Sequence, residues 1–347
     1  MSALRAEKAE WQADQWAAEI CRGDRPALAR GLNLIEDRRP RERVRAAALL
    51  RALPEERLRE SGHLVGITGP PGAGKSSVAA ELIRAWRRDG RSVGVLAVDP
   101  SSPISGGALL GDRLRMLQPA ADVGVFIRSL ATRGQVGGLS ADVAPMSMLL
   151  LCAFDVVVVE TVGIGQTEVD VALHTDTICL VAQPASGDTI QFLKAGVMEI
   201  PDVIAVNKAD LGAPSRKAAA EIRGVLAVDS AGWSVPVLLI SATEKHGIDG
   251  LATALEQHRR WLADQQRLTP GRIAQRGRWC LKCLRDEFGS FGLEQLGGEQ
   301  QLLAQWSQQE RSPYEYLEEL RGRLLARWDR TQSQPPFPTL GEHKEKR

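Results

Sequence analysis

Side chains that bind zinc or nickel are scarce in this chain. Its 347 residues include five cysteines and five histidines. One Cys-x-x-Cys pair occurs, at Cys280 and Cys283, without a second such pair and without clustered histidines, so we do not expect a zinc site. The two cysteines fall one helical turn apart in a helical stretch, and we expect them to pack in a core.

Long apolar runs and an excess of one charge are also missing. No run approaches the ~20 apolar residues of a membrane span, and the charged N-terminus lacks the apolar core of a secretion signal. The first residues mix acids with bases, which does not suggest mitochondrial import. We therefore expect a cytoplasmic protein. The formal net charge of +1 gives no basic field for nucleic acid.

A glycine-rich loop is the most informative motif present. It follows an apolar run, Leu64 to Ile67, and precedes an amphipathic segment, Val78 to Arg88. It fits G-x-x-x-x-G-K-[ST], in which backbone N–H groups and a helix N-terminus surround phosphate oxygens. Lys75 would reach the β- and γ-phosphates, and Ser76 would ligate Mg²⁺. The predicted phosphate-binding residues are Gly69, Pro70, Pro71, Gly72, Ala73, Gly74, Lys75, Ser76 and Ser77.

The middle of the chain alternates short apolar, β-branched runs with helical segments. This pattern predicts an α/β fold with a doubly wound, mainly parallel sheet. The predicted strands are Val65–Thr68, Val93–Val98, Val123–Arg128, Val156–Glu160, Thr177–Ala182, Val203–Asn207 and Val237–Ser241. We predict an N-terminal helical appendage over 1–61, a nucleotide-binding domain over 62–262, a C-terminal helical arm over 263–330 and a disordered tail over 331–347.

A second motif, N-K-x-D, follows the run that begins at Val203. The carboxylate of Asp210 can accept hydrogen bonds from guanine N1–H and from the exocyclic amino group, a pair that adenine does not offer. Lys208 would lie along the base, and Asn207 would join neighbouring loops. The next strand ends in a loop that resembles the S-A-x loop of GTPases, in which a backbone N–H group contacts the guanine oxygen. The residues of this loop are Ser241, Ala242 and Thr243.

Acidic residues at strand ends are candidates for the metal and the γ-phosphate. Asp99 and Asp112 could hold Mg²⁺ or its water, although each could also be a turn or cap residue. Glu160 stands where many GTPases carry the aspartate of Asp-x-x-Gly, and the N–H of Gly163 would sense the γ-phosphate. The predicted metal ligands are Ser76, Asp99, Asp112 and Glu160, and the predicted catalytic residues are Lys75, Glu160 and Gly163.

Two other functions share parts of this pattern. A metallochaperone GTPase would need thiolate or imidazole ligands near its switch loops. A small-molecule kinase would need an acceptor site and would not need N-K-x-D. No residue is obviously placed to orient the attacking water, which suggests slow intrinsic hydrolysis of GTP that a partner accelerates.

Taken together, these motifs resemble the MeaB/ArgK/MMAA family of SIMIBI-class P-loop GTPases. The resemblance covers about residues 15 to 260. It rests on the phosphate loop, the guanine motif and four further stretches: Val98–Ser102, Gly111–Arg113, Ala131–Gly134 and Glu160–Gln166.

The resemblance implies a chaperone of adenosylcobalamin-dependent acyl-CoA mutases such as methylmalonyl-CoA mutase. GTP hydrolysis would gate cobalamin loading and protect the mutase, so cobalamin enters only through the partner. The family also implies a homodimer with the C-terminal arm in its interface. A third loop would communicate with the mutase through Gly187, Asp188, Gln191 and Lys194.

Three residues depart from the family pattern. Leu130 and Gln135 replace the usual methionine and histidine, and Phe192 replaces a glycine of the third loop. These changes leave the nucleotide chemistry intact and leave open which acyl-CoA mutase is the client.

Overall fold

Capping residues fix the starts of the helices that precede the sheet. The computed structural model describes residues 13–99, 122–131, 140–161, 171, 173–184, 200–226, 232–307 and 312–332. Asp24 Oδ1 accepts a hydrogen bond of 2.7 Å from Ala27 N and so caps the second helix. Proline stands in the first turn of this helix and of the next one. The helices are α1 (13–21), α2 (Arg25–Glu36), α3 (Pro40–Arg51) and α4 (Glu55–Glu60).

The described residues form one sheet of seven parallel strands. They are β1 (His63–Thr68), β2 (Val93–Asp99), β3 (Val125–Ala131), β4 (Val156–Glu160), β5 (Thr177–Ala182), β6 (Val203–Val206) and β7 (Val237–Leu239). Their order across the sheet is β3-β2-β4-β1-β5-β6-β7. Every residue of β1, β4 and β5 is buried, as expected for strands covered on both faces.

Helices cover both faces of the sheet. Alternate side chains of the central strands, such as Val65 and Val158, pack with apolar residues of two helices, such as Leu82 and Leu255. The other alternate set faces the opposite layer, where Leu180 packs near Ile222. The first layer contains α5 (Lys75–Arg88) and α8 (Ile248–Asp264), and the second contains α6 (Val143–Ala153) and α7 (Ala213–Val225).

A buried polar chain lies at the amino ends of β1 and β5. Thr177 Oγ1 is 2.8 Å from His63 Nε2 and 2.9 Å from His258 Nδ1. Beside it, Asp176 forms a buried ion pair of 2.6 Å with Arg272. Burial lowers the pKa of His63 to about 3, and the charge of Asp176 only partly opposes this shift. The neutral imidazole is therefore the form that the fold accommodates.

The chain divides into two compact units, Met1–Arg276 and Gly277–Arg347. In the second unit, Tyr316 Oη donates a 2.9 Å hydrogen bond to Leu302 O, and its ring packs against Trp306 with centroids 5.3 Å apart. Gly289 has a φ of 69° and interrupts the longest helix with a kink. The helices are α9 (Leu268–Gln295), which begins in the first unit, α10 (Glu299–Ser307) and α11 (Pro313–Gln332).

The predicted fold class is confirmed, whereas several element ends were misplaced. The strand predicted at Val123 begins at Val125, because Asp122 Oδ1 accepts a hydrogen bond of 2.7 Å from Gly124 N and closes a turn there. The strands predicted to end at Asn207 and Ser241 end earlier, before the loops that carry those side chains. The helix predicted from Val78 begins three residues before it, directly after the phosphate loop.

The predicted domain boundaries after residues 61 and 262 stay predictions, and the two compact units divide after Arg276. Of the predicted tail, only residues 331 and 332 are described, and they belong to α11. Cys280 is buried, and its Sγ lies 3.0 Å from Pro313 O. No helix among the described residues combines the length and the apolar character needed to cross a bilayer.

Candidate active site

The glycine-rich loop joins β1 to α5 at the carboxyl end of the sheet. Gly69, Gly72 and Gly74 have φ values of 142°, 76° and 90°, which side chains rarely adopt. A Cβ on Gly69 would also collide with the carbonyl oxygen of Val181 in β5. The loop backbone therefore requires glycine at these turns, and α5 starts at Lys75 with its N-terminus against the loop.

Lys75 lies inside the loop that carries it. Its side chain is 7% exposed, and Nζ donates hydrogen bonds to Gly69 O at 2.9 Å and to Pro70 O at 3.2 Å. An ammonium group is thus held beside backbone N–H groups at a helix N-terminus. This combination concentrates positive potential where an anion could bind.

Ser76 and Glu160 meet beside Lys75. Ser76 Oγ donates a 2.6 Å hydrogen bond to Glu160 Oε1, and both residues are 4% exposed. Sheet register explains the contact, because Ile67 near the end of β1 pairs with Glu160 at the end of β4. One residue further, Thr161 Oγ1 donates to Thr68 Oγ1 at 3.2 Å. The strand end and the start of α5 are therefore joined directly.

The donor set of this pair fits Mg²⁺. A hydroxyl and a carboxylate supply the hard oxygen ligands that Mg²⁺ prefers. Among the described residues, no group of three or more His, Cys, Asp or Glu side chains could hold a metal ion. An ion bound by Ser76 and Glu160 would therefore complete its shell with phosphate oxygens and water, as Mg²⁺ commonly does at phosphate sites.

Asn207 connects the phosphate loop to the loop after β7. Its Nδ2 donates to Ala73 O at 2.8 Å, and its Oδ1 accepts from Ala242 N at 3.1 Å. Asn207 is 4% exposed and directly follows β6. One side chain thus fixes the distance between the loop predicted to bind the phosphates and the loop predicted to contact the base.

The other two residues of N-K-x-D lie beside this link. Lys208 has a φ of 63°, and its Nζ donates to Gln183 Oε1 at 2.6 Å. Asp210 is exposed, and its Oδ1 accepts a 2.6 Å hydrogen bond from Ser241 Oγ. Ser241 itself is 1% exposed, so the carboxylate is held by a fixed hydroxyl. Asp210 therefore lies exposed at the carboxyl edge of the sheet with one carboxylate oxygen held by Ser241.

Several predicted site residues lie outside the described part of the chain. Asp99 ends β2, but only its backbone is described. The remaining ones are Asp112, Gly163, Gly187, Asp188, Gln191 and Lys194. The described residues Lys75, Ser76, Asn207, Asp210 and Glu160 do come together along one edge of the sheet, at the carboxyl ends of β1, β4, β6 and their loops.

A family model described as "Methylmalonyl Co-A mutase-associated GTPase MeaB" matches residues 28–292. The chain belongs to the MeaB family. The resemblance inferred from its motifs is thereby confirmed, and the protein is a GTPase, a hydrolase that acts on guanine nucleotide.

Relatives from an archaeon, a bacterium and the mouse support membership of the same family. A putative GTPase of Pyrococcus horikoshii is 42% identical over 270 residues, which cover 75% of this chain and 81% of the relative. GTPase ArgK of Escherichia coli is 36% identical, covering 76% and 81%. The mitochondrial methylmalonic aciduria type A homolog of Mus musculus is 32% identical, covering 79% and 69%.

A solved structure shares the fold of this MeaB-family chain. The crystal structure of a protein titled LAO/AO transport system kinase superposes with a TM-score of 0.64 and 28% identity, covering 90% of this chain and 97% of that one. Seven parallel strands flanked by helices are therefore the P-loop GTPase fold in this family member as well.

Two polar contacts at this edge are not predicted by any of the sequence motifs. Gln183 follows β5 and accepts from Lys208, and Thr68 ends β1 and accepts from Thr161. Their location could have indicated a role, because polar residues at the carboxyl ends of parallel strands face the ligand crevice of such sheets.

Proposed function

We propose that this GTPase is a chaperone of an adenosylcobalamin-dependent acyl-CoA mutase, and that its GTP and GDP states differ in affinity for the mutase. The family description and the name of the mouse relative support a mutase-associated role. The observation that supports the GTPase part of the proposal is the hydrogen bond between Ser76 and Glu160. It joins the phosphate loop to β4, the strand that precedes Gly163 in the chain.

In the proposed reaction, water attacks the γ-phosphate of GTP in line with the leaving GDP, and positioning and electrostatics supply the rate. Lys75 stabilises charge that develops on the γ-phosphate. Ser76 and Glu160, with Asp99 and Asp112, would hold Mg²⁺, which when bound neutralises phosphate oxygens. The N–H of Gly163 would register whether the γ-phosphate is present.

Guanine selection would rest on Asp210. Its Oδ1 is already held by Ser241, which limits rotation of the carboxylate before the base arrives. Lys208 would lie along the base, while Ala242 and Thr243 would line it. Since pre-ordering reduces the entropy lost on binding, this hydrogen bond supports tight recognition of guanine.

The output of the cycle would reach the mutase through the loop that carries Gly187, Asp188, Gln191 and Lys194. A homodimer formed through residues 263–330 would present two such loops. The nucleotide can act on the mutase only through a difference in affinity. The mutase must bind one nucleotide state more tightly than the other, and by linkage it then changes the affinity for the nucleotide.

Two assays test the proposal separately. In the first, hydrolysis of GTP and ATP is compared, with arginine added as a phosphate acceptor and nickel as a metal cargo. GTP-only hydrolysis supports the nucleotide assignment, whereas transfer of phosphate to arginine or tight nickel binding contradicts it in favour of a kinase or a metallochaperone.

In the second assay, GTP turnover is measured with and without apo methylmalonyl-CoA mutase and adenosylcobalamin. A change in turnover, together with nucleotide-dependent transfer of adenosylcobalamin to the mutase, supports the chaperone role. Unchanged turnover and transfer with this mutase and with isobutyryl-CoA mutase would contradict that role while leaving the GTPase assignment intact.

A further inference from the structure

The backbone carbonyl groups of two cysteines far apart in the chain lie beside one guanidinium group. Cys21 is the last residue of α1, and Cys152 lies in the last turn of α6. Arg57 of α4 donates from Nη1 to Cys152 O at 2.6 Å and lies 3.5 Å from Cys21 O. The side chains of the two cysteines lie near enough to shift each other's pKa, and neither forms a disulfide.

Packing next to the cysteines brings their helices together independently of Arg57. A Cβ placed on Gly31 of α2 would lie 3.2 Å from Ile20 Cδ1 and 3.2 Å from Leu149 Cδ1. Ile20 precedes Cys21, and Leu149 lies one turn before Cys152. Both side chains are fully buried. The ends of α1 and α6, which carry the two cysteines, are thus held next to each other by well-packed apolar groups.

The two thiols differ in access and in acidity. Cys21 is partly exposed, whereas Cys152 is buried. The hydrogen bond from Cys152 and the charge of Arg57 outweigh burial and lower the pKa of Cys21 to about 7. The same hydrogen bond and burial raise the pKa of Cys152, and the charge of Glu55 adds to this against that of Arg57. At neutral pH the accessible sulphur is the better nucleophile, and the buried one keeps its proton.

We propose that Cys21 and Cys152 are a peroxide-sensitive thiol pair that closes a reversible disulfide between α1 and α6. The Cys21 thiolate attacks a hydroperoxide, the O–O bond breaks, and a sulfenic acid forms with release of water or an alcohol. Cys152 loses its proton and attacks this sulphur, which forms the S–S bond and expels water. Two electrons pass to the hydroperoxide, and a cellular dithiol returns them by exchange.

The expected consequence is a covalent link between α1, which precedes the sheet, and α6, which covers one face of it. Cys152 lies eight residues before Glu160, and α6 leads directly into β4. Closing the bond removes freedom from the unfolded chain between two distant positions, so the oxidised protein should unfold at a higher temperature than the reduced one. This inference concerns a modification site and does not depend on the mutase.

The test uses the full chain, reduced and then exposed to hydrogen peroxide at neutral pH. Free thiols are blocked in denaturant, and peptides are mapped without reduction. We expect a Cys21–Cys152 linked peptide that disappears after dithiothreitol, while Cys179, Cys280 and Cys283 stay blocked as thiols. No linked peptide at peroxide doses that begin to oxidise the other three cysteines would overturn the proposal.

Variants assign the order of events. Cys152→Ser should accumulate a dimedone-reactive sulfenic acid at Cys21, Cys21→Ser should leave Cys152 unlabelled, and the matched control Cys283→Ser should still form the link. Should Cys152→Ser not fold, the pH profile of iodoacetamide labelling in the wild type replaces it. A midpoint for Cys21 near pH 7 supports the assignment, and one at the peptide value of about 8.5 contradicts it.

Discussion

Ser76 in the first turn of α5 donates its hydroxyl hydrogen to Glu160 at the end of β4, across 2.6 Å. The two residues are far apart in sequence and meet because β4 pairs directly with β1. Since β1 and α5 flank the phosphate loop while β4 leads towards Gly163, the proposed γ-phosphate sensor, we expect any change that separates this pair to uncouple the phosphate loop from that sensor.

Glu160→Gln should lower kcat for GTP by ~100-fold or more, because an amide cannot supply the negative charge that helps to hold Mg²⁺, and the ion stabilises the negative charge of the transition state. GDP affinity should change much less, since the phosphate loop is intact. Steady-state hydrolysis and fluorescent-GDP titration measure the two effects. Glu160→Asp, which keeps the charge on a shorter side chain, is the matched control and should retain more activity than Glu160→Gln. An unchanged kcat in Glu160→Gln would contradict a role for Glu160 in hydrolysis.

Asn207→Ala should destabilise the fold by about 1–3 kcal/mol, because Ala73 O and Ala242 N both lose their buried partner. Nucleotide affinity should fall as well, since the two loops are no longer tied. Urea unfolding with and without GDP measures both effects. Asn207→Asp is the informative comparison: it keeps an acceptor for Ala242 N and loses only the donor to Ala73 O. Equal stability of all three proteins would contradict the linking role.

Much of this edge of the sheet could be predicted from the sequence, since its residues occur in short motifs directly after apolar runs. Lys75, Asn207 and Asp210 stand in such motifs. Contacts between separate parts of the chain could not be predicted, because they depend on the order of the strands in the sheet, which the motifs do not specify. The hydrogen bond between Thr177 and His258 and the meeting of Cys21 with Cys152 are of this kind. Strand ends were misplaced for a related reason: turn hydrogen bonds, such as that of Asp122, compete with strand pairing.

Asp210→Asn should weaken GDP binding by roughly 100-fold, the cost of losing hydrogen bonds to a charged acceptor. The amide can instead donate to the second carbonyl of xanthine, so xanthosine diphosphate should bind the variant better than the wild type. Competition titrations with both nucleotides test this. Ser241→Ala removes the group that holds Asp210 and should give a smaller loss without a change of base preference. Undiminished GDP affinity in Asp210→Asn would place guanine selection elsewhere.

Gly69→Ala should lower the free energy of unfolding by more than Gly72→Ala does. Both glycines have positive φ, so each substitution carries a backbone cost of about 1 kcal/mol. Only at Gly69 would the added methyl group also strike a backbone atom, the carbonyl oxygen of Val181, whereas a Cβ on Gly72 meets nothing within 4 Å. Denaturant midpoints at equal m-values provide the comparison. A Gly72→Ala variant as unstable as Gly69→Ala would show that φ alone sets the cost.

The stability of the protein should fall as the pH drops from about 6.5 towards 3, through His63. Burial lowers the pKa of His63 to about 3, so between these values the unfolded chain binds a proton that the folded chain does not. The contribution is fully present above pH 6.5, and about 2 kcal/mol of it should be lost between pH 7 and pH 5. Asp176, whose pKa is lowered by Arg272, adds a loss only at lower pH. Unfolding at a series of pH values should show this slope in the wild type and in His246→Gln, whose imidazole is exposed, but not in His63→Gln. An unchanged slope in His63→Gln would assign the proton to another group.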